Sequence, residues 1–446
     1  MKRFDKRAHS LSDSLGKVRS GKENSLRKTY FNLGVFQFLT FLRRGVFYTF
    51  MITYLNALMG TVTLTAALGT LNMIGSSLGQ NFFWGRICDK YKVRAQLIVA
   101  GEIIAAFTYM IVFLIHRSLR AAGNDFNAGL AIIFGLSILE FFWSMSDVGW
   151  AALLTDITTP AIRGRVIGTL NFVASAGRMV GILYSGFLFD KGEGFRNGTI
   201  FYIVIIMLLA GATLMAFTSR RMKARSEGAC ETIEAPPVDE ETNKPNQQNE
   251  KVYRMFLLSL IVIVLGAASI NQIFLLFLQV PNGLNFTDSQ MTLVVSAWTV
   301  GGMIASLTTG RLSDKFGRAK ALLLGLSLAV VTPLFYNLAT SVPLMAFIYG
   351  LNGVSFWTIQ TVGFVFAGDL IPKDRRGRLL GRFNTVIALS WGPAGILIDG
   401  PFADLQVRRF GLSPYTAYVN AFYASSIIVL VGAVFFAVKV ARTKSS

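Results

Sequence analysis

The stretch GRICDKYK at residues 85–92 returns as GRLSDKFGR at residues 310–318, each time between two long apolar segments. A second pair of stretches repeats in the same order, DITTPAIRGRVIG at residues 156–168 and DLIPKDRRGRLLG at residues 369–381. Both halves of the chain therefore carry the same two polar segments in the same order. Polar hairpins at equivalent places in a duplicated apolar chain predict a membrane protein built from two parallel repeats.

The composition is typical of a membrane protein. Hydrophobic residues make up 53% of the chain and charged residues 15%, and the mean hydropathy is +0.52. In soluble domains roughly 45–50% of the residues are apolar and about 25% are charged. About twenty apolar residues cross a bilayer, and the chain offers such stretches at 30–57, 62–84, 95–115, 129–155, 165–189, 198–219, 254–280, 289–310, 320–339, 342–367, 378–400 and 415–440. We therefore predict an all-α membrane protein with twelve transmembrane helices, in two six-helix pseudo-repeats around a central cavity.

Composition also divides the chain into segments. Residues 1–29 are basic and polar without an apolar core, so we expect a cytoplasmic tail rather than a cleaved signal peptide. Residues 30–219 and 253–441 are the two predicted six-helix bundles. Between them, residues 220–252 change from basic to acidic and become rich in Pro, Asn and Gln, which is typical of a flexible linker. Such a linker would leave the two bundles free to rock against each other.

Charge indicates how the chain is oriented. Its 43 Lys and Arg against 24 Asp and Glu give a net charge of +19. If the amino terminus is inside, the loops on the other side hold only six of the basic residues: Arg117, Arg120, Lys191, Arg196, Arg408 and Arg409. Positive charge concentrates in cytoplasmic loops, so we expect a multi-pass protein of the plasma membrane with both termini cytoplasmic. Anionic membrane lipid, and not nucleic acid, is the expected partner of this charge.

Nothing in the sequence points to a cofactor or to an enzyme. Cys88 and Cys230 both fall on the predicted cytoplasmic side, where disulfides are rare, and the sequence has no metal-ligand spacing. The chain has no Gly-x4-Gly-Lys-Ser/Thr phosphate-binding loop, so we do not expect ATP to drive it. We expect a monomer without a cofactor.

The repeated hairpin resembles a signature of the major facilitator superfamily of transporters, Gly-x-x-x-Asp-Arg/Lys-x-Gly-Arg-Arg/Lys, found between helices two and three and again between helices eight and nine. The second copy matches at these positions: Gly310, Asp314, Lys315, Gly317 and Arg318. The first copy keeps fewer of them: Gly85, Asp89 and Lys90, with Arg94 one residue late. Lys92 replaces its second glycine, and a Lys at positive φ is uncommon. Either this turn is rebuilt or the gate of the first half is weaker.

The segment Asp-x6-Arg-Gly looks like that superfamily's loop between helices four and five and between helices ten and eleven. It contributes the following residues: Asp156, Arg163, Asp369 and Arg376. In related transporters the hairpins gate the cytoplasmic side, and the resemblance implies the same role here. A carboxylate such as Asp89 or Asp314 at the membrane rim can pair with Arg or with a helix amino terminus, worth roughly 0.3–1 kcal/mol when exposed. The alternative to gating is that these residues only set the membrane topology and cap helices, but that does not explain the fixed spacing of the Asp residues.

Ionisable residues within the predicted spans are candidates for a solute site, because a charge at the bilayer centre costs about 2.5 kcal/mol or more and usually faces a cavity. In the first half they are Arg43, Arg44, Glu102, Glu140, Asp147 and Arg178. Glu140 and Asp147 share one face of the fourth helix. In the superfamily, helices one, four, seven and ten line the cavity, which would set Arg43 or Arg44 opposite both acids. A proton-coupling site is the functional interpretation, and an ion-pair network that only positions helices is the alternative.

In the second half we expect hydrogen-bonding and aromatic groups instead of charges. Asn271 and Gln272 lie in the seventh predicted helix, and Trp357 and Gln360 lie in the tenth. Trp357 and Gln360 share a helix face, as suits a platform for a solute. Interhelical hydrogen bonds and apolar filling are the alternative interpretation of these residues.

The resemblance implies a secondary active transporter that moves a small organic solute by alternating access. We expect coupling to protons, and we favour export because the apolar and aromatic content, with 37 Phe, suits lipophilic cargo. A proton symporter that imports an anionic metabolite is the alternative, favoured by the intramembrane arginines. A membrane receptor or scaffold with the same fold is the alternative from another class.

Overall fold

The computed structural model describes residues 28–158, 160–226, 247–371 and 376–441. Within these ranges every regular element is a helix. The helices form twelve spans, numbered in chain order. Their bounds are: α1, 28–48 and Met51–Met59; α2, Val62–Leu78, Gly79–Trp84 and Gly85–Tyr91; α3, Arg94–Ala121; α4, Asp125–Ile157; α5, Pro160–Phe189; α6, Thr199–Ser226; α7, Gln247–Gln279; α8, Asp288–Phe316; α9, Arg318–Val331 and Thr332–Leu338; α10, Val342–Leu370; α11, Arg376–Trp391, Gly395–Asp399 and Gly400–Phe410; α12, Pro414–Phe436 and Ala437–Ala441.

The twelve spans confirm the predicted fold class. Each of the ten spans α3–α12 contains a helical run long and apolar enough to cross a membrane. A turn at residues 49–50 breaks α1, and a π-helical turn at Gly79–Trp84 interrupts α2. The predicted tail lies outside the described residues up to residue 27. The predicted linker, 220–252, lies partly outside them, and its ends belong to α6 and α7.

The predicted end of α11 is wrong. α11 was expected to end at residue 400, but it continues to Phe410. Its last turns carry polar residues such as Asp404 and Arg408, which lower the hydropathy of the sequence without interrupting the helix. As a consequence, Asp399 lies inside the span rather than at its end.

The two hairpins, residues 85–94 and 310–318, lie on one side of the bundle, which we call the motif face. The beginning of α1, the end of α6, the beginning of α7 and the end of α12 lie on this side too, because successive spans alternate in direction. The other side is the opposite face, where α4 and α8 begin at Asp125 and Asp288.

The apolar core shows where the two halves meet. One large cluster of buried side chains contains residues of both halves towards the opposite face, among them Phe50 of α1 and Phe274 of α7. Towards the motif face the described residues form separate clusters in each half, one around Leu153 of α4 and another around Phe366 of α10. The halves therefore share a core near the opposite face and have separate cores near the motif face.

A carboxylate of the second half caps a helix of the first half. α2 begins at Val62 without a side-chain cap of its own, so its first N–H groups have no partner within the helix. Asp404 of α11 accepts hydrogen bonds from Val62 N at 3.1 Å, from Thr63 N at 2.9 Å and from Thr63 Oγ1 at 2.6 Å. Arg408 Nη2 donates to Gly60 O at 3.3 Å. These bonds join the halves at the opposite face.

Glycines bring α2 and α11 close together below this cap. A Cβ on Gly400 would lie 2.8 Å from Thr63 Cα, and a Cβ on Gly395 would lie 2.9 Å from Ala66 Cβ. Further along the pair, Thr70 Oγ1 donates to Gly392 O at 2.8 Å. Small residues allow such close approach of helix backbones, so these glycines determine how tightly the halves join.

The two hairpins turn differently. Lys92 takes the left-handed αL conformation, with φ 53° and ψ 29°, and ends α2. Gly317, between α8 and α9, has φ 88° and ψ 145°. A residue other than glycine loses about 1–2 kcal/mol in αL, and the Gly317 conformation is open to glycine almost alone. The first turn is therefore rebuilt around a strained lysine.

We expect Lys92→Gly to raise the free energy of unfolding by up to about 1 kcal/mol. Glycine removes the αL strain from the folded state, and this gain exceeds the stabilisation of the unfolded chain by the greater backbone entropy of glycine. Gly317→Ala should lower it by about 1–3 kcal/mol, since alanine does not tolerate this φ and ψ. Thermal unfolding of the purified protein in one detergent measures both. Gly310→Ala is the control, because a Cβ there meets nothing within 4 Å. Equal effects of the three substitutions would contradict this account.

Candidate functional site

A cavity of about 560 Å³ lies between the two halves. Its wall comes from α1, α2, α4 and α5 of the first half and from α7, α8, α10 and α11 of the second. Pockets that hold drug-sized molecules have volumes of about 300–1,000 Å³. The charged side chains in this wall are Arg44, Glu140, Asp147 and Arg178. All of them belong to the first half.

Glu140 of α4 is connected to α1 through two side chains. Tyr48 OH donates to Glu140 Oε1 at 2.9 Å, and Arg44 Nη2 lies 3.8 Å from Glu140 Oε2. The Glu140 side chain is 9% exposed and that of Arg44 is 33% exposed. The structure therefore places these two predicted site residues together, with the guanidinium accessible from the cavity.

Arg43 points into the core of the first half and not into the cavity. It is 1% exposed, and its Nη1 donates to Tyr109 OH at 3.1 Å. Trp143 contacts both arginines, since the guanidinium carbons of Arg43 and Arg44 lie 5.1 Å and 4.1 Å from its ring centroid, as in cation–π pairs. Trp143 Nε1 donates to the buried Glu102 at 2.9 Å. Arg43 and Glu102 thus support the cavity wall from behind.

Asp147 lies closer to the motif face than Glu140, by roughly 10 Å along α4. Its carboxylate receives a hydrogen bond from Gln80 Nε2 at 3.4 Å. Within the described residues, no Lys or Arg side chain lies within 4 Å of it. Asp147 is therefore a carboxyl group in the cavity wall that forms no ion pair within the described residues.

Arg178 of α5 faces the second half. Its guanidinium carbon lies 5.5 Å from the ring centroid of Trp298 on α8, and in the described residues no carboxylate lies within 4 Å of it. Trp298 begins a row of rings, with Phe356 at 5.4 Å and Trp391 a further 4.9 Å away. The cavity therefore combines an accessible cation with an aromatic wall.

In the second half, Asn271 and Gln272 line the cavity, and Asn271 Oδ1 accepts a hydrogen bond from Tyr349 OH at 2.8 Å. Trp357 packs against Gly302 of α8. Neither Trp357 nor Gln360 is among the residues that line the cavity. A role for these two in solute binding remains a prediction.

An ion pair joins the two repeated segments within each half. Arg94, at the beginning of α3, pairs with Asp156 near the end of α4. Arg318, at the beginning of α9, lies 3.0 Å from Asp369 near the end of α10. The same connection at equivalent places means that each hairpin is attached to its own half.

The hairpin carboxylates have no such partner. Asp89 and Asp314 form no ion pair within the described residues. The neighbouring Lys90 and Lys315 lie over the rings that follow them, at 5.2 Å and 5.4 Å from the centroids. Gly310 has open space around its Cβ position, whereas a Cβ on Gly85 would meet Gln80 O of its own helix. Arg163 and Arg376 lie in the first turns of α5 and α11, and their side chains are outside the described part of the chain.

Sequence reasoning missed several residues of the cavity wall. Tyr48 could have been found, because it follows Arg44 by four positions and so shares its helix face. Trp298, Tyr349 and Gln80 carry no local signal, since their part in the wall depends on how α8, α10 and α2 are rotated in the bundle.

Comparison with known proteins gives the same architecture. A family model described as Major Facilitator Superfamily matches residues 33–280 and 257–446. Multidrug resistance protein 2 of Bacillus subtilis is 26% identical over 191 residues, which are 43% of this chain and 44% of that protein. A multi-drug resistance efflux pump PmrA homolog of Lactococcus lactis is 22% identical over 354 residues, 78% of each chain. The chain thus spans less than half the length of the first relative and most of the second.

A solved structure extends the likeness to almost the whole fold. A bacterial homolog to the human lysosomal transporter Spinster, in an inward-facing and unoccupied conformation, has a TM-score of 0.69 at 14% identity, over 94% of this chain and 97% of that one. The chain belongs to the major facilitator superfamily of transporters and is a multi-pass membrane protein.

Proposed function

We propose that the protein is a proton-coupled secondary transporter that exports a small organic solute by alternating access. The observation that carries this proposal is Asp147, which lines the cavity without a cationic side chain within 4 Å in the described residues. A carboxyl group in such a place can hold a proton or, when ionised, attract a cationic part of a solute. It cannot do both at once.

Competition at Asp147 determines the sign of the coupling. If the proton and the solute exclude each other, each lowers the affinity for the other by the same factor. Proton binding on one side of the membrane then favours solute release, and the two move in opposite directions. With a proton gradient directed into the cell, this arrangement exports the solute.

The remaining wall of the cavity suits an organic solute. Phe41, Trp298 and Trp391 provide apolar and aromatic surface, and Asn72 and Asn271 provide hydrogen-bonding groups. Such a mixture of apolar surface and few polar groups is usual for small-molecule sites. The names of the two relatives, which speak of multidrug resistance and efflux, support export of organic compounds.

The distribution of positive charge supports a cytoplasmic motif face in the plasma membrane. In that orientation the described state, with a shared core towards the opposite face, has its cavity open to the cytosol. An exporter loads its solute in this state. Switching would move Asp404 away from α2 and bring the hairpin carboxylates Asp89 and Asp314 against the other half.

Solute flux in proteoliposomes tests the proposal. The experiment uses a panel of organic cations, anions and neutral compounds, with and without an imposed pH gradient. Export by exchange predicts that a proton gradient drives at least one compound against the direction of proton flow. Movement in the same direction as protons would contradict exchange, and no flux of any compound would favour a receptor or scaffold.

Asp147→Asn should uncouple the exchange. We expect proton-driven accumulation of the transported compound to fall at least tenfold, because the amide cannot bind a proton. Exchange of labelled for unlabelled compound without a pH gradient should need a higher concentration of a cationic compound, because the amide no longer attracts it, and should no longer depend on pH. Initial rates at matched protein content measure both.

Asp125→Asn is the matched control for this prediction. Asp125 lies on the same helix at the opposite face, where it forms an exposed ion pair with Arg120 at 3.3 Å, and such pairs contribute little. Equal losses from the two substitutions would contradict a coupling role of Asp147.

A second candidate function is proton symport that imports an anionic metabolite, and Arg178 favours it. An accessible guanidinium without a carboxylate partner fits an anionic group. Protonation of Glu140 would in addition release Arg44 for the same anion, so that the proton and the anion would bind together. This linkage has the opposite sign from competition at Asp147.

Arg178→Gln tests this second candidate. If an anion binds the guanidinium, its apparent affinity should fall roughly ten- to a hundredfold, as expected for loss of about 1.5–3 kcal/mol from a charged hydrogen bond. Arg178→Lys, which keeps the charge, should retain part of the affinity. The transport of the organic anions in the panel measures this, and an unchanged affinity in both variants would count against anion binding at Arg178.

A further inference from the structure

A carboxyl group lies buried within the second half, outside the cavity wall. Asp399 is 0% exposed and lies at the end of the π-helical turn Gly395–Asp399 of α11. Its Oδ1 is 2.8 Å from Ser425 Oγ of α12. Its Oδ2 has no hydrogen-bond partner in the described part of the chain. From the sequence we expect no charge within the spans of this half, and Asp399 is an exception to that expectation.

Ser425 begins a chain of hydroxyl groups that leads to α7. Ser425 Oγ and Ser269 Oγ are 2.8 Å apart, and Ser269 Oγ is 2.9 Å from the carbonyl oxygen of Gly266. Three short oxygen–oxygen contacts therefore follow one another: Asp399 to Ser425, Ser425 to Ser269, and Ser269 to the Gly266 carbonyl. Each contact is a hydrogen bond only if one hydrogen atom lies between its two oxygens.

The number of hydrogen atoms decides the protonation state that completes this chain. The carbonyl of Gly266 only accepts, and each serine hydroxyl has one hydrogen to donate. Ser269 can give its hydrogen to Gly266, and Ser425 can give its own to Ser269. The third bond, between Ser425 and Asp399, then requires a hydrogen on the carboxyl group. All three contacts are hydrogen bonds only when Asp399 is protonated.

Among the described residues, the surroundings of Asp399 offer no cation that could replace this proton. The groups that face it are Ser269 from α7 and Ser425 from α12, while α2 packs against the neighbouring Gly400 and Gly395. Residues 255–280 of α7 and 62–84 of α2 contain no titratable side chain, and residues 414–438 of α12 contain only tyrosines. The next titratable residue along α11 is Asp404, which is bonded to α2. A buried carboxylate without a counter-charge is strongly disfavoured.

We propose that Asp399, with Ser425 and Ser269, is a proton-binding site of the second half and that it holds a proton when the cavity is open to the motif face. The site is separate from the carboxyl groups of the cavity. A proton needs only one acceptor oxygen here, whereas a metal ion of the hard type needs six or more oxygen ligands.

The position of the site explains how it could exchange its proton. Gly395, the first residue of the turn that ends at Asp399, and Gly400, which follows the turn, pack directly against Ala66 and Thr63 of α2. When α2 and α11 separate to open the opposite face, water gains access to this turn. The O–H bond of the carboxyl group can then break, the proton passes to water, and a carboxylate remains. This part of the inference rests on the proposed proton-coupled transport, whereas the protonated state of Asp399 does not.

Infrared difference spectroscopy of the purified protein tests the site without any solute. We expect wild-type protein in sodium-free buffer at neutral pH to show the C=O stretch of a buried carboxyl group. Asp399→Asn should remove this band and still fold, because the amide can donate to Ser425 as the protonated acid does. Ser425→Ala should keep the band but shift it, which preserves the test if the Asn variant does not fold. Ser426→Ala is the matched control, since its buried hydroxyl has no hydrogen-bond partner in the described residues.

Two spectroscopic results would overturn the site. One is a difference spectrum in which Asp399→Asn removes carboxylate bands instead of a carboxyl band. The other is a carboxyl band that is absent with sodium and appears only when sodium is removed, which would identify a sodium ion in place of the proton.

The number of protons moved per solute in proteoliposomes tests the role in transport. Asp399→Asn should lower this number, and Ser426→Ala should leave it unchanged. An unchanged number in Asp399→Asn, with the carboxyl band present in wild type, would overturn the role in transport and leave the site itself supported. If wild type shows no proton-driven flux, the proposed function fails, and the spectra still decide whether Asp399 is protonated.

Discussion

The hydrogen bonds of Asp404 to the beginning of α2 join the two bundles on one side of the molecule, beside the apolar core that both halves share. Three donors of α2 converge on this carboxylate, at a helix end that carries partial positive charge. A hydrogen bond to a charged group contributes about 1.5–3 kcal/mol, which is comparable to the free energies that separate two conformations of one protein. The close approach of α2 and α11 at their glycines lies next to this contact. We propose that the cavity opens towards the motif face while the contact is intact.

The charges of the molecule are arranged around this geometry. In the first half, Glu140 keeps Arg44 as its counter-charge, and Arg43 and Glu102 are held by Tyr109 and Trp143 behind the wall. Carboxyl groups that form no ion pair within the described residues remain at Asp147 in the cavity and at Asp399 behind it. A carboxyl group of this kind can gain or lose a proton without first breaking an ion pair. Paired groups would then fix the shape of the site, and unpaired groups would make it sensitive to protons.

Much of the fold was predictable because lipid requires long apolar helices whose backbone groups are bonded within the helix. The repeated hairpins added the pseudo-repeat, and the resemblance to the superfamily placed Arg43 or Arg44 opposite Glu140. Periodicity could not distinguish Arg43 from Arg44, which are adjacent in sequence and point about 100° apart on a helix. Asp399 was missed because α11 continues past its apolar stretch. The contact between Thr63 and Asp404 joins residues 341 positions apart and depends on the packing of both halves, which no local pattern encodes.

We propose that the contact of Asp404 with α2 holds the opposite face closed. Distances between pairs of spin labels test this closure most directly. One pair is placed at Gly168 and Gly310 on the motif face, and the other at Asn127 and Leu412 on the opposite face. Both are introduced into a protein in which Cys88 and Cys230 are replaced by Ser. Gly168 and Gly310 have open space at their Cβ positions, so labels there should not disturb packing. The account predicts that Asp404→Asn shortens the motif-face distance and lengthens the opposite-face distance in a larger share of molecules. Identical distance distributions in Asp404→Asn and in the parent protein would contradict it.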